Sequence, residues 1–467
     1  MGIKNVVMKN LGWLVLSDVA DKILSFIVVT LLARYLGANN FGIYSFVISF
    51  VLIFGTISDF GFPTITLRDL ARNKKKSSYY IGNIITLKLI ISIIVFSLIV
   101  LSIKMLNKSP EINYLVYLGG LWAITSSFTQ FFSAIFRAYE KMFYETLVVT
   151  FENILKTTFV IFIVVKSLSL SSIFLLYTAS TVFSFLLAFF FIVKHFTKFT
   201  LRFDFSFFKY IIKESWPIML GASSVTVYAY VNSIFLSVYH TDLLVGLFNA
   251  GYKLVIVLAA GRRILAVAIY PALSRFYVQS KEKLKALILK SEKIALTFAI
   301  PATFATIILA EKIINLVYGS AYVPGAIALK ITIFQMLIIY INLSFIHMLN
   351  ISGNQRWYLF TVTSGALLNL ALNFILVPKF GMVGAGISTV ISEFLVLLIS
   401  YIKTYSLIQI NILPLFVKPI IASIIMSIVL LLIINWNVLI ITVIGLATYL
   451  VTLYLINGIR KEDFHLE

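Results

Sequence analysis

Fourteen apolar stretches, each about long enough to cross a bilayer, fill the chain, and its basic loops fall in every second gap between them. Lipid hydrocarbon offers no partner to backbone N–H and C=O groups, so each stretch must be a helix. The stretches read as residues 11–35, 42–66, 81–103, 114–136, 145–166, 172–194, 216–239, 246–270, 294–316, 325–349, 358–378, 382–403, 412–435 and 438–458. Arg68, Arg72, Lys74, Lys75 and Lys76 follow the second span, and Lys194, Lys198, Arg202, Lys209 and Lys213 follow the sixth. Arg275, Lys281, Lys283, Lys285, Lys290 and Lys293 follow the eighth. Gaps 37–41, 240–245 and 317–324 contain no Lys or Arg. Basic loops are retained on the cytoplasmic side, so an even span count with basic even gaps places both termini in the cytoplasm. The expected fold is all-α integral membrane, multi-pass, in the cell (inner, cytoplasmic) membrane.

Composition excludes several other classes. Hydrophobic residues make up 61% of the chain and charged ones 12%, too apolar a balance for a water-soluble fold of 467 residues. The net charge of +20 would suit nucleic acid, but the basic groups sit beside apolar spans, where they meet anionic lipid headgroups. No basic soluble domain is present, so membrane lipids are expected partners and nucleic acid is not. Cysteine is absent, which removes disulfides and thiolate chemistry. His195, His240, His347 and His465 are scattered, so no metal site is expected. No catalytic constellation stands out, and an enzyme is not the reading. Lys4 and Lys9 precede Leu11–Leu16 in the manner of a signal peptide, but Asp18, Asp21 and Lys22 interrupt the apolar run, so the first helix is expected to be retained.

Two segments between spans have their own pattern. Residues 195–215 alternate aromatic and basic side chains before Trp216-Pro217, and residues 274–293 place apolar residues at helical spacing among lysines. Both suit helices lying on the inner membrane surface. A faint repeat matches Gly37-Ala38-Asn39-Asn40-Phe41-Gly42, entering span 2, with Thr241-Asp242-Leu243-Leu244-Val245-Gly246, entering span 8. It implies a six-helix unit used twice, a common transporter plan. The expected organisation is a first bundle at 1–194, an interfacial linker at 195–215, a second bundle at 216–403, and two appended helices with a short tail at 404–467.

Ionisable residues inside spans are expensive and usually face a bundle interior or a water-filled cavity. Span 1 contains Asp18, Asp21 and Lys22; span 2, Asp59; span 3, Lys88; span 5, Glu152 and Lys156. Span 8 contains Lys253, Arg262 and Arg263, and span 12 contains Glu393. The four-residue spacings of Asp18–Lys22 and Glu152–Lys156 allow pairing within one helix. Lys88, near a span end, is expected to extend to the headgroups. Arg262 and Arg263 diverge by about 100° around a helix, so one at most points inward. Midspan basic groups suit an anionic cargo such as a phosphate headgroup, and the carboxylates suit a coupling cation. Lys22, Lys253, Arg262 and Lys156 are the candidate cargo contacts, and Asp18, Asp21 and Asp59 the candidate ion-coupling groups. The glycine-rich string Gly381–Gly386 opens an apolar span and reads as close helix packing.

Several strings, taken in order, carry a resemblance. They are Ala33-Arg34-Tyr35-Leu36-Gly37-Ala38 with Phe41-Gly42-Ile43-Tyr44, then Trp216-Pro217 and Gly246-Leu247-Phe248-Asn249-Ala250-Gly251-Tyr252-Lys253. Tyr270-Pro271-Ala272-Leu273-Ser274 follows, then Asn369, Asn373 and Val377-Pro378-Lys379-Phe380-Gly381. The chain resembles the polysaccharide-transporter (O-antigen flippase) family of the multidrug/oligosaccharidyl-lipid/polysaccharide exporter superfamily. The resemblance implies two six-helix bundles around a central cavity, two further C-terminal helices and alternating access. It also implies a polyprenyl-phosphate- or pyrophosphate-linked oligosaccharide as cargo, no resident cofactor, H+ or Na+ as coupling ion, and glycosyltransferases or glycan polymerases as partners. Lipid II flippases are more distantly similar: Lys22 and Lys253 fall where they carry arginines, whereas Val28 replaces a second span-1 arginine. Two rival readings stand beside this one. A multidrug or organic-cation antiporter would have to tolerate midspan lysines that repel its cargo. An integral-membrane glycosyltransferase or polymerase would need a large extramembrane catalytic loop, for which no segment is long enough.

Overall fold

The computed structural model describes residues 3–197 and 199–458, with side chains from residue 24 onward except at 264 and 268. Among the described residues there is no strand, and long apolar helices account for nearly all of the chain. Their order is α1 (Ile3–Asp59), α2 (Phe62–Arg72), α3 (Ser77–Met105), α4 (Pro110–Ala138), α5 (Met142–Lys166), α6 (Leu170–His195) and α7 (Phe205–Tyr239). Then come α8 (Asp242–Gln279), α9 (Lys281–Tyr318), α10 (Ala326–Ile341), α11 (Leu343–Ile351), α12 (Gln355–Leu407), α13 (Pro414–Leu432) and α14 (Val438–Leu455). Among the described residues 11 helical segments are long and apolar enough to cross a membrane.

Two of those segments each hold two crossings, because single glycines divide α1 and α12. Gly37 has φ 69° and Gly381 has φ 53°, in the left-handed region that side chains with a Cβ avoid. The expected loops at 37–41 and 379–381 therefore shrink to one residue with non-helical angles. With the 29-residue α4 added, this agrees with the expected count of about fourteen crossings.

The chain divides into two compact units, Met1–Ile234 and Phe235–Glu467. In the first, α1 packs on α4 and α5, and α6 closes against α4 and α5. Its core is strongly aromatic, with Phe62, Phe131, Phe132, Phe136, Phe207 and Phe208 all buried. In the second, α10 packs between α8, α9 and α12, while α13 and α14 dock on α9 through Leu309, Met426 and Tyr449. The outer faces stay apolar: Leu439, Val443, Leu446 and Leu450 are exposed along α14, as contact with lipid tails requires.

The division falls inside α7. Residues 199–204 are not an interfacial helix; they are an irregular strap held on α3. Asp204 N–H donates to Asn83 Oδ1 at 2.9 Å, Tyr79 donates to Asp204, and Arg202 stacks over the Tyr79 ring. Gly82 has no side chain at the spot where the Thr200 carbonyl presses in. Helix begins only at Phe205, capped by Asp204 Oδ1, which accepts from Ser206 N (2.9 Å) and Phe207 N (3.2 Å). It then runs without interruption through Pro217 into the seventh span. The 274–293 segment is likewise not a separate surface helix. It is the end of α8 and the start of α9, separated by Ser280, whose hydroxyl accepts from Lys283 N at 3.3 Å.

Candidate functional site

Each unit sequesters a set of polar groups. In the first unit the set lies where α1 ends. Ser58, Asp59 and the left-handed Phe60 and Gly61 close the helix, leaving its last carbonyls without helical donors. Lys88 of α3 fills that position, donating to the Ser58 carbonyl at 3.2 Å and lying 3.7 Å from Asp59 Oδ1. Its ammonium also sits 5.2 Å from the centroid of the Phe128 ring. A hydrogen bond of 3.2 Å between Ser58 and Ser127 ties the same helix end to α4. Lys88 is 0% exposed, so the expected extension to the headgroups is wrong. A carboxylate, a helix C-terminus and an aromatic face together hold the cation inside.

Glu152 and Lys156 pair within α5, as their spacing predicts, and Lys156 lies 5.7 Å from the Trp122 ring centroid. Asp18, Asp21 and Lys22 lie outside the residues whose side chains are described.

In the second unit the groups converge from four helices. Arg262 on α8 is largely shielded and Arg263 beside it is exposed, the divergence the helix imposes. Electrostatic interaction links Arg262 with Glu393 and Tyr358 of α12 and Tyr340 of α10, and the same charge reaches His347 of α11. Gln335 donates to Glu393 at 3.3 Å, and the Tyr340 hydroxyl donates to the Leu258 carbonyl at 3.1 Å. Gly261 leaves the room for that hydroxyl, which a Cβ there would meet at 2.6 Å. Lys253 is half-buried and sits in an otherwise uncharged stretch of α8, from Leu243 to Gly261. Nine residues separate it from Arg262, which places the two on roughly opposite faces, about 180° apart and about 13.5 Å along the axis. The candidate cargo contacts on α8 therefore do not converge on one phosphate.

Sequence reasoning missed Gln335, Tyr340 and His347, whose roles arise from partners on other helices. It also missed Glu292, a 0% exposed carboxylate on α9. Its signal was an acid at the apolar end of a lysine-rich run, which a count of midspan charges passes over.

These features define a multi-pass, all-α membrane protein with charged groups held inside apolar helical units. The chain belongs to the polysaccharide biosynthesis protein family, whose sequence pattern matches residues 7–277. It is similar to the probable low-salt glycan biosynthesis flippase Agl15 of Haloferax volcanii, with 23% identity over 166 residues, 35% of either chain. It is also similar to an uncharacterized membrane protein, MJ1068, of Methanocaldococcus jannaschii, 28% identical over 183 residues, 38% of this chain and 36% of that one. The match thus spans about a third of the length of these curated relatives. Among solved structures, the lipid II flippase MurJ in an inward closed conformation superposes with a TM-score of 0.80 at 17% identity, covering 95% of this chain and 98% of that one. An inward-facing multidrug resistance MATE transporter gives 0.67 at 15% identity, covering 83% and 95%. At these identities the likeness establishes the fold: it is shared between a flippase and a drug transporter.

Proposed function

We propose that the protein is a flippase moving a polyprenyl-phosphate- or pyrophosphate-linked oligosaccharide from the cytoplasmic to the outer leaflet for surface glycan assembly. Translocation proceeds by alternating access coupled to an H+ or Na+ gradient, with both termini in the cytoplasm. Family membership supports the glycan pathway, and one observation carries the charge of the cargo. Lys253 is a half-buried cation in a stretch of α8, from Leu243 to Gly261, that carries no other charged residue. A lysine ammonium within an apolar span binds phosphate as a point charge. Such a group would repel an organic cation, which sets this reading apart from drug export.

Because the Arg262 charge interacts with Glu393, Tyr358 and Tyr340 inside the second unit, its role in this reading is to favour the packing of α8 with α10 and α12. Lys253 takes the phosphate. Lys156, paired with Glu152, and Asp59, next to Lys88, are engaged by neighbours of opposite charge. Ion coupling at Asp18, Asp21 and Asp59 belongs to the same proposal. Glycosyltransferases and glycan polymerases acting before and after the flip are its expected partners.

Proteoliposomes loaded with a fluorescent polyprenyl-pyrophosphate oligosaccharide test the reading through accessibility to a membrane-impermeant reagent. Flipping by the wild type, a drop of about tenfold or more in Lys253→Met and partial recovery in Lys253→Arg are expected, the scale of one lost charge-assisted contact. Transport of an organic cation with no movement of the glycan lipid would overturn it.

A further inference from the structure

The tenth span is broken. α10 ends at Ile341 and α11 starts at Leu343, with Asn342 between them at φ −86° and ψ 6°. In an unbroken helix the Ser344 N–H would donate to the Tyr340 carbonyl. Here it donates to Glu292 Oε1 on α9, at 3.0 Å. Glu292 therefore caps the N-terminus of a nine-residue helix from across the packing interface. Ser291 and Ser344 hydroxyls lie 3.3 Å apart beside it. The second carboxylate oxygen, Oε2, is buried and has no hydrogen-bond partner. Glu292 itself is 0% exposed.

A bare anion with one unpartnered oxygen is costly in such an interior. No group of three or more His, Asp or Glu able to hold a metal ion occurs among the described residues. The smallest cation that removes the charge is a proton. We infer that Glu292 is a proton-binding site whose occupancy controls how firmly the N-terminus of α11 is held.

The groups around it fit that role. Burial acts on the Glu292 charge most strongly, and the Ser344 hydroxyl and amide act on it next. Several titratable groups on the elements packed against α9 are engaged elsewhere. Tyr340 of α10 donates to Leu258 O, Tyr449 of α14 to Thr297 O, and Lys418 of α13 to Asn457 O. On the 3-10 turn Ser320–Gly325, Tyr322 packs against Tyr318 of α9 itself. His347 of α11 packs edge-on to Tyr270 of α8 and feels the charge of Arg262. α11 also packs on α12. The ionised carboxylate accepts the Ser344 N–H as a charge-assisted bond; the protonated one accepts it weakly. Proton uptake thus loosens α11, and its contact with α8 passes the change to the helix that bears Lys253 and Arg262.

This rests on the ion-coupled reading above, and the test is run without any glycan lipid, so the two can fail separately. Hydrogen–deuterium exchange of residues 342–351 is followed in nanodiscs over a pD series, corrected for intrinsic exchange rates. Protection is expected to fall about tenfold or more as the pD drops, the loss of one charge-assisted hydrogen bond. The step should be confined to α11, with α13 unaffected. Glu292→Gln should remove the step and leave low protection throughout. Ser344→Ala, which keeps the backbone donor, should retain it and serves if Glu292→Gln does not fold. Exchange independent of pD in the wild type and in Ser344→Ala, or a step that survives Glu292→Gln, would overturn the site. A step driven by added NaCl at fixed pD, and absent from the pD series, would overturn the proton as its ligand.

Discussion

The Lys88 ammonium lies 3.7 Å from the Asp59 carboxylate, with the lysine side chain at 0% exposure and the aspartate at 23%. Removing one partner of such a pair leaves an uncompensated charge, at a cost of about 3–5 kcal/mol. Replacing both by apolar or neutral groups avoids that cost. Lys88→Met and Asp59→Asn are each expected to lower the unfolding temperature in detergent, and Asp59→Asn/Lys88→Met to lose clearly less than their sum. Additive losses would show that the two residues do not act as a pair.

Gly82 sets a second expectation. A Cβ there would stand 2.1 Å from the Thr200 carbonyl, which is backbone and cannot rotate away. Gly82→Ala must therefore displace the 199–204 strap from α3. Limited proteolysis should cut within that strap at least severalfold faster in the variant. Cutting at the wild-type rate would mean that α3 gives way in place of the strap.

Asp204 makes the same strap sensitive to acid. The Tyr79 hydroxyl, then the Phe207 and Ser206 amides, hold its carboxyl below the usual aspartate range. A folded-state value below the unfolded one means the contribution is complete above the ordinary value of about 3.9. It is lost as the pH falls through the lower, folded value. Strap cleavage by an acid protease should therefore rise at the acidic end of that window and stay flat near neutrality. In Asp204→Asn the strap should be looser at every pH and show no such transition.

The sequence made the crossings legible because lipid imposes helix on any long apolar run, and Gly37 and Gly381 mark two of the narrowest joints. The Glu152–Lys156 pair was legible for a similar reason, since its geometry lies within one turn of one helix. What escaped were relationships between helices. Lys88 looked like a headgroup lysine because its partners, Ser58 and Asp59, belong to another helix. Residues 199–204 looked like part of a surface helix because Tyr79 and Asn83, which hold Asp204, lie more than a hundred residues earlier. Glu292 looked like one charge of a helix on the membrane surface, because Ser344 is 52 residues away and the break at Asn342 leaves no periodic signal.

The Glu152–Lys156 pair distinguishes a cargo contact from a structural one. The two residues are bonded within α5, and Lys156 also lies over Trp122. If the pair is structural, Glu152→Gln and Lys156→Met each strand one charge, and Glu152→Gln/Lys156→Met removes both. Flipping and thermal stability should then fall in each single variant and recover in the double one. If Lys156 grips a phosphate, Glu152→Gln would leave transport unchanged or raise it, and the double variant would be as poor as Lys156→Met. The geometry favours the first pattern, because an acidic neighbour that already bonds the ammonium offsets the charge a phosphate would seek. Recovery of flipping in the double variant is the expected result, and proteoliposome transport together with unfolding temperature decides it.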